Sequence, residues 1–194
     1  MSIGVKARKT FHINEADIIN KLAEGLYCCI IEEGRRANSI AIICIGSDRA
    51  TGDSLGPITG HIISRKIQNP NIAIYGSLAK PVHAVNIRQT MDRIYSENGN
   101  SLIIAIDAAL SRKADCVGVF NMGIGSLNPG AFAEKDLLSI GHIYLTGVVN
   151  WTDKLGDVEV LQSTRLGFVM KMAEIMSEGI ELALTKWQKT YGIC

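Results

Sequence analysis

The chain has 194 residues, of which 47% are hydrophobic and 20% are charged. This is the composition of an ordinary globular protein and excludes a disordered chain. Twenty Lys and Arg residues against nineteen Asp and Glu residues leave a net charge of +1, so no general attraction to nucleic acid or to an acidic membrane is expected. A chain of this length predicts a single domain, residues 1–194.

The sequence predicts a cytoplasmic protein. Its longest apolar runs, such as Ile40–Ile45, are far shorter than the roughly 20 residues of a membrane-spanning helix. The N-terminal residues are basic but are not followed by the apolar core of a secretory signal. None of the five cysteines forms a C-x-x-C pair, so reduced thiols are expected rather than a zinc ribbon or a redox pair.

Helical and strand patterns alternate along the chain. The predicted elements are a helix from Asn14 to about Gly34, a strand over Ser39–Ile45, a helix over Leu55–Ile67, a strand over Ile72–Tyr75, a helix over His83–Tyr95, strands over Ser101–Ile106, Val117–Met122 and Ile143–Val149, and a helix over Ser163–Lys189. This order predicts an α/β sandwich with a mostly parallel central sheet. Between residues 108 and 142, antiparallel strands or an edge hairpin are expected.

The last helix is long and amphipathic. Its apolar stripe runs from Leu166 to Trp187 at helical spacing. We expect this stripe to pack on the sheet with Trp187 buried. An exposed stripe would instead indicate a subunit interface, and a homo-oligomer is therefore kept as an alternative.

Acidic residues follow two of the predicted buried strands. Asp107 directly follows Leu102–Ile106, and Asp48 and Asp53 lie in the loop after Ile40–Ile45. Ligands of parallel α/β sheets bind beyond the carboxyl ends of the strands, so these acids are expected to converge. Two carboxyl groups in a partly dry crevice shift each other's pKa and supply the acid and the base that amide hydrolysis needs.

Each acid also has a structural interpretation. Asp53 or Ser54 precedes a predicted helix, where such residues usually act as N-caps, and for Asp53 alone a cap is the stronger reading. Asp107 follows five apolar residues and should be half-buried, so it requires a partner. For Asp107, the sequence favours a functional role and a structural role about equally.

Two glycine-containing loops resemble phosphate-binding loops only superficially. Between Gly46 and Gly52 the spacing is one residue too long for a phosphate loop, and Asp53 stands where the lysine belongs. The loop Gly123–Gly130 matches only the first half of a dinucleotide-binding motif. No cofactor is therefore predicted.

One histidine is expected near the acids. His83 follows the short strand Ile72–Tyr75 and the residues Lys80-Pro81-Val82, which places it towards the same edge of the sheet. With Asp53 and Asp107 it would bind a divalent metal or act as acid–base machinery. A solvated histidine at the start of a helix is the simpler alternative. No serine or cysteine nucleophile motif is present.

Four ordered stretches carry a family resemblance. They are Ile-Gly-Ser-Asp-Arg-Ala-Thr-Gly-Asp-Ser-Leu-Gly-Pro (45–57), Lys-Pro-Val-His-Ala-Val-Asn (80–86), Ala-Ile-Asp-Ala-Ala-Leu (105–110) and Gly-Ser-Leu-Asn-Pro-Gly (125–130). Together they resemble the YyaC-like sporulation proteins, relatives of the spore germination protease. The resemblance spans roughly residues 15–190.

This resemblance implies a fold and an activity. The fold would be a three-layer α/β/α sandwich similar to the hydrogenase maturation proteases. Asp53 and Asp107 match the catalytic acids of the germination protease, an acid-type endopeptidase that degrades small acid-soluble spore proteins. The resemblance therefore implies a protein substrate of that kind and the spore or forespore cytoplasm.

The leading hypothesis is a sporulation-associated peptidase in which Asp53 and Asp107 activate a water and His83 orients it. Backbone N–H groups of the 46–54 loop or of Gly123–Gly130 would stabilise the oxyanion. Substrate contacts are predicted for Asp48, Arg49, Ser54, Asn86, Gly125 and Asn128. The alternatives are a metal-dependent maturation-type protease with Asp53, His83 and Asp107 as ligands, and a non-catalytic peptide-binding protein.

Overall fold

The computed structural model describes residues 6–34, 37–97, 99–128, 139–152 and 157–192. In chain order the elements are β1 (Lys6–His12), α1 (Ile18–Glu33), β2 (Ser39–Cys44), α2 (Leu55–Lys66), β3 (Ile72–Tyr75), α3 (Ile87–Glu97), β4 (Ser101–Ser111), β5 (Val119–Ile124), β6 (Ile143–Trp151), α4 (Asp157–Ser163) and α5 (Leu166–Tyr191). No helix within these ranges is long and apolar enough to cross a membrane.

The described strands form a six-stranded sheet in the order β1-β5-β6-β4-β2-β3. The strands β3, β2, β4 and β6 run parallel, whereas β5 is antiparallel to both β6 and β1. The mostly parallel sheet predicted from the sequence is confirmed. An antiparallel strand also falls in the 108–142 stretch, as expected, although β1 and not β5 forms the edge of the sheet.

Helices cover both faces of the parallel strands. On one face, α1, α2 and α5 pack against the side of the sheet that carries Ile42, Ile104 and Leu145. On the other face, α3 packs against Ile43 and Ile103. Parallel strands buried on both sides need apolar residues at consecutive positions, which explains the unbroken apolar runs of β2 and β4. The three-layer α/β/α fold is confirmed.

The terminal helix packs within the chain. Trp187 is 2% exposed and belongs to the larger core cluster, so its predicted burial is confirmed. The stripe is shorter than predicted, because Leu166 and Met170 lie on the exposed surface. The helix also begins at Leu166, because Ser163 ends the separate short helix α4.

Several predicted boundaries were wrong. The first helix begins at Ile18 rather than Asn14, after Asp17, whose φ of 59° is incompatible with a continuing helix. The third helix begins at Ile87 rather than at His83. Strand β4 does not end before Asp107 but continues to Ser111, paired with β6.

The helix α2 approaches the end of β2 so closely that only glycine fits at position 56. A Cβ atom on Gly56 would lie 2.0 Å from the carbonyl oxygen of Ile45 and 2.9 Å from its backbone nitrogen. Both are backbone atoms and cannot rotate away. This contact holds the start of α2, and the loop before it, against the edge of the sheet.

We therefore expect Gly56→Ala to lower the free energy of unfolding by about 2–3 kcal/mol, since the added methyl group overpacks a tight contact. The matched control is Gly167→Ala in the first turn of α5, where an added Cβ meets no atom within 4 Å. That change should stabilise the protein by up to about 1 kcal/mol through helix propensity. Urea unfolding measures both, and equal stability of Gly56→Ala and wild type would contradict the close approach.

Candidate functional site

The loop between β2 and α2 positions Asp53. Gly46 has a φ of +136°, and its N–H donates to the carbonyl of Val82 at 2.8 Å, which ties this loop to the segment before α3. The loop is closed by the N–H of Ser47, which donates to the backbone carbonyl of Asp53 at 3.2 Å. Asp53 itself lies in a single 3-10 turn directly before α2. The carboxyl group is thus carried by a braced turn rather than by a free loop.

The capping alternative finds no support in the hydrogen bonds. Ser54 occupies the N-cap position of α2 but makes no side-chain capping bond. Its hydroxyl donates instead to the carbonyl of Thr51 at 2.6 Å, and Ser54 is buried. Asp53 precedes the N-cap position, so capping does not explain this acid.

Asp107 lies inside β4, half-buried and directly opposite Thr146 of β6. Its carboxyl oxygen Oδ1 accepts a bond of 2.8 Å from the N–H of Ala108. Burial, together with the nearby charge of Asp53, raises the pKa of Asp107 to about 8, against the opposing effect of the Ala108 N–H. Asp107 therefore keeps its proton at neutral pH.

The pKa of Asp53 responds to its burial and to two neighbours. Burial raises the pKa of Asp53, while the N–H of Ser47 and the charge of His83 act in the opposite direction. The structure therefore places Asp53 within electrostatic reach of both Asp107 and His83. Of the three site residues predicted from the sequence, Asp53 is therefore the one that interacts electrostatically with both others.

His83 lies in the turn before α3, and Asn86 holds this turn. Asn86 accepts a bond of 2.9 Å from the N–H of His83 through Oδ1 and donates through Nδ2 to the carbonyl of Pro81 at 3.0 Å. The ring nitrogen Nδ1 of His83 accepts a bond of 3.3 Å from the N–H of Val85. In the neutral ring the proton is therefore on Nε2. His83 is half-buried, which differs from a freely solvated histidine.

The metal-site alternative does not fit this arrangement. Two carboxylates and an imidazole are suitable donors for zinc or nickel. Among the residues that the structure describes, however, no three His, Cys, Asp or Glu side chains lie together as a metal-holding group, and this includes Asp53, His83 and Asp107. The described residues therefore provide no metal centre of this composition.

The residues predicted to contact substrate differ in their surroundings. Asp48 and Arg49 are exposed at the tip of the β2–α2 loop. Gly125 has a φ of +144°, and its N–H donates to the carbonyl of His142. Asn128 is exposed and accepts a bond of 3.0 Å from Ser139. None of these contacts tests substrate binding, and neither do those of Ser54 and Asn86. A substrate-binding role for the six residues therefore remains a prediction.

The predicted oxyanion donors are partly engaged. In the 46–54 loop, the N–H groups of Gly46 and Ser47 donate to carbonyl groups of the protein, and in the second loop the N–H groups of Gly125 and Leu127 do the same. Residues 129 and 130 of that loop lie outside the described ranges. In this conformation these four groups cannot serve an oxyanion.

A row of polar side chains beside Asp107 was not anticipated. Thr146, Asn121, Thr10 and Arg8 line a cavity of about 420 Å³ on the side of the sheet that faces away from α1 and α5. A signal was present in the sequence, because Thr146 and Asn121 each interrupt an otherwise apolar strand. Only the register of four strands brings them next to Asp107.

The fold belongs to a known structural class. It is similar to the crystal structure of the NiFe hydrogenase maturation protease HycI from Thermococcus kodakarensis KOD1, with a TM-score of 0.51 over 81% of this chain and 99% of that one. The sequences are 13% identical, so this likeness establishes the α/β fold alone.

The sequence comparisons then identify the family. Residues 10–179 match the family described as "Protein of unknown function (DUF1256)", and the chain belongs to this family. It is also 42% identical over 151 residues to the "Uncharacterized protein YyaC" of Bacillus subtilis (strain 168), covering 77% of this chain and 72% of that protein. The resemblance to YyaC is therefore confirmed.

Proposed function

We propose that this protein is a peptidase in which Asp53 and Asp107 form the catalytic pair. The observation that carries the proposal is the pKa of Asp107, which burial and the charge of Asp53 raise to about 8. Since the charge of Asp53 acts on Asp107, Asp53 is the carboxyl that loses its proton first. One ionised and one protonated carboxyl at neutral pH are the base and the acid of amide hydrolysis.

The chemistry follows from these protonation states. The Asp53 carboxylate accepts a proton from a water molecule as its oxygen attacks the amide carbonyl, and Asp107 donates its proton to the carbonyl oxygen. The resulting tetrahedral diol then breaks its C–N bond. The amine leaves with the proton held by Asp53, and a hydroxyl of the diol returns a proton to Asp107. One water is consumed, and both carboxyls regain their starting states.

His83 supports the base in this scheme. The electrostatic interaction with His83 lowers the pKa of Asp53 and so opposes the effect of burial. The turn that Asn86 braces fixes the position of the ring. His83 thus acts as a positioning and electrostatic residue that favours the ionised form of Asp53.

Two apolar side chains of the elements that carry the site are exposed. Val85, two residues after His83, is 89% exposed, and Trp151 at the carboxyl end of β6 is 41% exposed. A polypeptide substrate would bring apolar side chains of its own to such positions. The resemblance to sporulation proteins favours small acid-soluble spore proteins in the forespore cytoplasm as the first substrates to test.

The decisive experiment compares wild type with Asp53→Asn on two substrates, the acid-soluble protein fraction of spores and denatured casein. Wild type should produce defined fragments in mass spectrometry, and Asp53→Asn should lower the rate at least about a hundredfold, because the general base is lost. Asp92→Asn removes an exposed carboxylate from α3 and serves as the matched control with an unchanged rate.

Two outcomes would contradict the proposal. Equal rates in wild type and Asp53→Asn would show that the fragments come from a contaminating protease. Binding of both substrates by wild type without cleavage would favour the non-catalytic alternative, in which the same crevice only holds a peptide.

A further inference from the structure

Four polar side chains form a straight row across the sheet. In the strand register, Asp107 of β4 lies opposite Thr146 of β6, Thr146 lies opposite Asn121 of β5, and Asn121 lies opposite Thr10 of β1. Successive side chains of a strand alternate between faces. The chain neighbours Ile106, Leu145, Phe120 and Phe11 all contribute to the core beneath α1, α2 and α5. The four polar side chains therefore share the opposite face.

The far end of this row carries a positive charge. The Nη2 group of Arg8 donates to Oδ1 of Asn121 at 2.7 Å, and the hydroxyl of Thr10 donates to the same oxygen at 3.2 Å. Asn121 is only 8% exposed, so the guanidinium is fixed to a buried anchor. The charge of Arg8 also reaches Tyr144, whose pKa it lowers against the effect of burial.

Within the described residues, Arg8 has no acidic partner. The ion pairs of these ranges join Lys21 to Glu15, Lys66 to Glu181, Arg93 to Glu97, and Lys186 to Glu24. The guanidinium instead contacts a neutral amide, and in the described part of the chain no carboxylate compensates its charge. Arginine is well suited to bind a carboxylate through two parallel hydrogen bonds.

Three side chains of the row also line an accessible groove. Arg8, Thr10, Asn121, Tyr144 and Thr146 surround the cavity of about 420 Å³, and Leu127 and Val148 give it apolar walls. The described helix on this face, α3, packs against β2 and β4, away from β5 and β1. The groove therefore extends from Thr146, the cross-strand neighbour of Asp107, to the guanidinium of Arg8.

Building on the proposed function, we propose that this groove binds the substrate chain and that Arg8 selects an acidic side chain in it. The spacing of strands is about 4.8 Å, so Asn121 and the bound guanidinium lie about 10 Å from Asp107 across two strands. An extended peptide rises about 3.4 Å per residue, so this distance corresponds to three residues. The substrate is thus a peptide with Asp or Glu about three residues from the cleaved bond.

The groove chemistry favours an acidic peptide over a nucleic acid. Among the described residues that line the groove, Arg8 supplies the only cationic group, and the row ends at Asp107, beside the negative charge of Asp53. A chain of phosphates would meet repulsion there, whereas a peptide brings one carboxylate to Arg8 and a neutral amide to the acid pair. The amide and hydroxyl groups of Asn121, Thr10 and Thr146 are suited to neutral backbone groups.

The test uses a defined library of capped, unstructured peptides incubated with wild type, Arg8→Gln and Arg8→Lys. Mass spectrometry of the products should show Asp or Glu enriched at least fivefold about three residues from the cut. Arg8→Gln should abolish this enrichment, and Arg8→Lys should keep part of it. The matched control is Arg65→Gln, an exposed arginine of α2 outside the groove, which should leave the profile unchanged.

A binding measurement separates this proposal from the peptidase proposal. The same library is captured on immobilised Asp53→Asn protein, with and without Arg8→Gln. Acidic peptides retained through Arg8 without any cleavage by wild type would support the groove and overturn the catalytic pair. Cleavage without acidic preference, or with a preference that survives Arg8→Gln, would overturn the role of Arg8. If the protein showed no preference for acidic peptides and the wild type cleaved none of them, both proposals would be overturned.

Discussion

Replacing Asp107 with Asn is expected to abolish peptide hydrolysis and, at the same time, to stabilise the protein at pH 7. In the unfolded chain an Asp ionises near pH 3.9, whereas in the fold the pKa of Asp107 is about 8. Folding at pH 7 must therefore bind a proton, which costs about 4 kcal/mol at about 1.4 kcal/mol for each pH unit above 3.9. Asn avoids this cost, and its Oδ1 keeps the bond from the N–H of Ala108.

The same substitution removes the proton donor of the proposed mechanism. Loss of a general acid typically lowers the rate by about 10²–10⁴. Urea unfolding at pH 7 and fragment production from denatured casein measure the two effects on one preparation, with Asp92→Asn as the control for the loss of a carboxylate. A gain in stability joined to a loss of activity is characteristic of a functional residue held under strain.

If Asp107→Asn instead lowered the free energy of unfolding by several kcal/mol at pH 7, the prediction would be contradicted. Asp107 would then be a hydrogen-bonded structural residue whose carboxylate stabilises β4, and the acid-pair mechanism would lose its main support. If Asp107→Asn increased the stability but retained the activity, Asp107 would be a strained residue, and other groups would carry out the hydrolysis.

The parallel half of the fold could be predicted from the sequence because its signal is local. The strands β2 and β4 are buried on both faces, so each is an unbroken apolar run that needs no partner to be recognised. The apolar pattern of helix α5 is likewise visible in its own sequence, and it correctly predicts the burial of Trp187. Where a segment is half-buried at an edge, this local signal is lost.

The edge strand β1 illustrates that loss. Its side chains alternate between Phe11, which packs near α1, and polar residues such as Thr10 on the other face, within a basic segment. The strand forms because β5 supplies its hydrogen-bond partners, not because its own residues favour it. The end of β4 was misplaced for a related reason, since Asp107 ends the apolar run while pairing with β6 continues to Ser111.

The candidate site was predictable only in part. The carboxyl-edge rule identified Asp53, His83 and Asp107, because each follows a recognisable strand in the chain. Arg8, Asn121 and Thr146 come from three other strands, and a shift of one residue in any of their registers would turn the side chain to the opposite face. Such a juxtaposition depends on long-range pairing and cannot be derived from spacing along the sequence.

The sequence predicts that the two acids shift each other's pKa apart, and in the structure Asp107 is the acid that keeps its proton at neutral pH. The charge of Asp53 raises the pKa of Asp107, whereas a protonated Asp107 carries no charge that would act on Asp53. Replacing Asp53 should therefore lower the pKa of Asp107, while replacing Asp107 should leave Asp53 nearly unchanged. Burial is the larger cause at Asp107, so its pKa should stay above 3.9 even in Asp53→Asn.

The stability of the wild type is accordingly expected to fall as the pH rises from about 4 to about 8. A carboxyl whose pKa is raised in the fold binds its proton more tightly when folded, so the unfolded chain releases that proton first. The free energy of unfolding of wild type should fall relative to that of Asp107→Asn by about 1.4 kcal/mol per pH unit across this window. The difference should reach about 4 kcal/mol at pH 7 and become constant above the folded pKa of about 8.

Urea unfolding of both proteins at pH 4, 5, 6, 7 and 9 measures this difference, and the comparison cancels the contributions of the other carboxylates. In Asp53→Asn the decline should end at a lower pH, because the charge that helps to keep Asp107 protonated is gone. A difference between wild type and Asp107→Asn that does not change with pH would show that Asp107 titrates normally, and the protein would then lack the protonated acid on which hydrolysis at neutral pH depends.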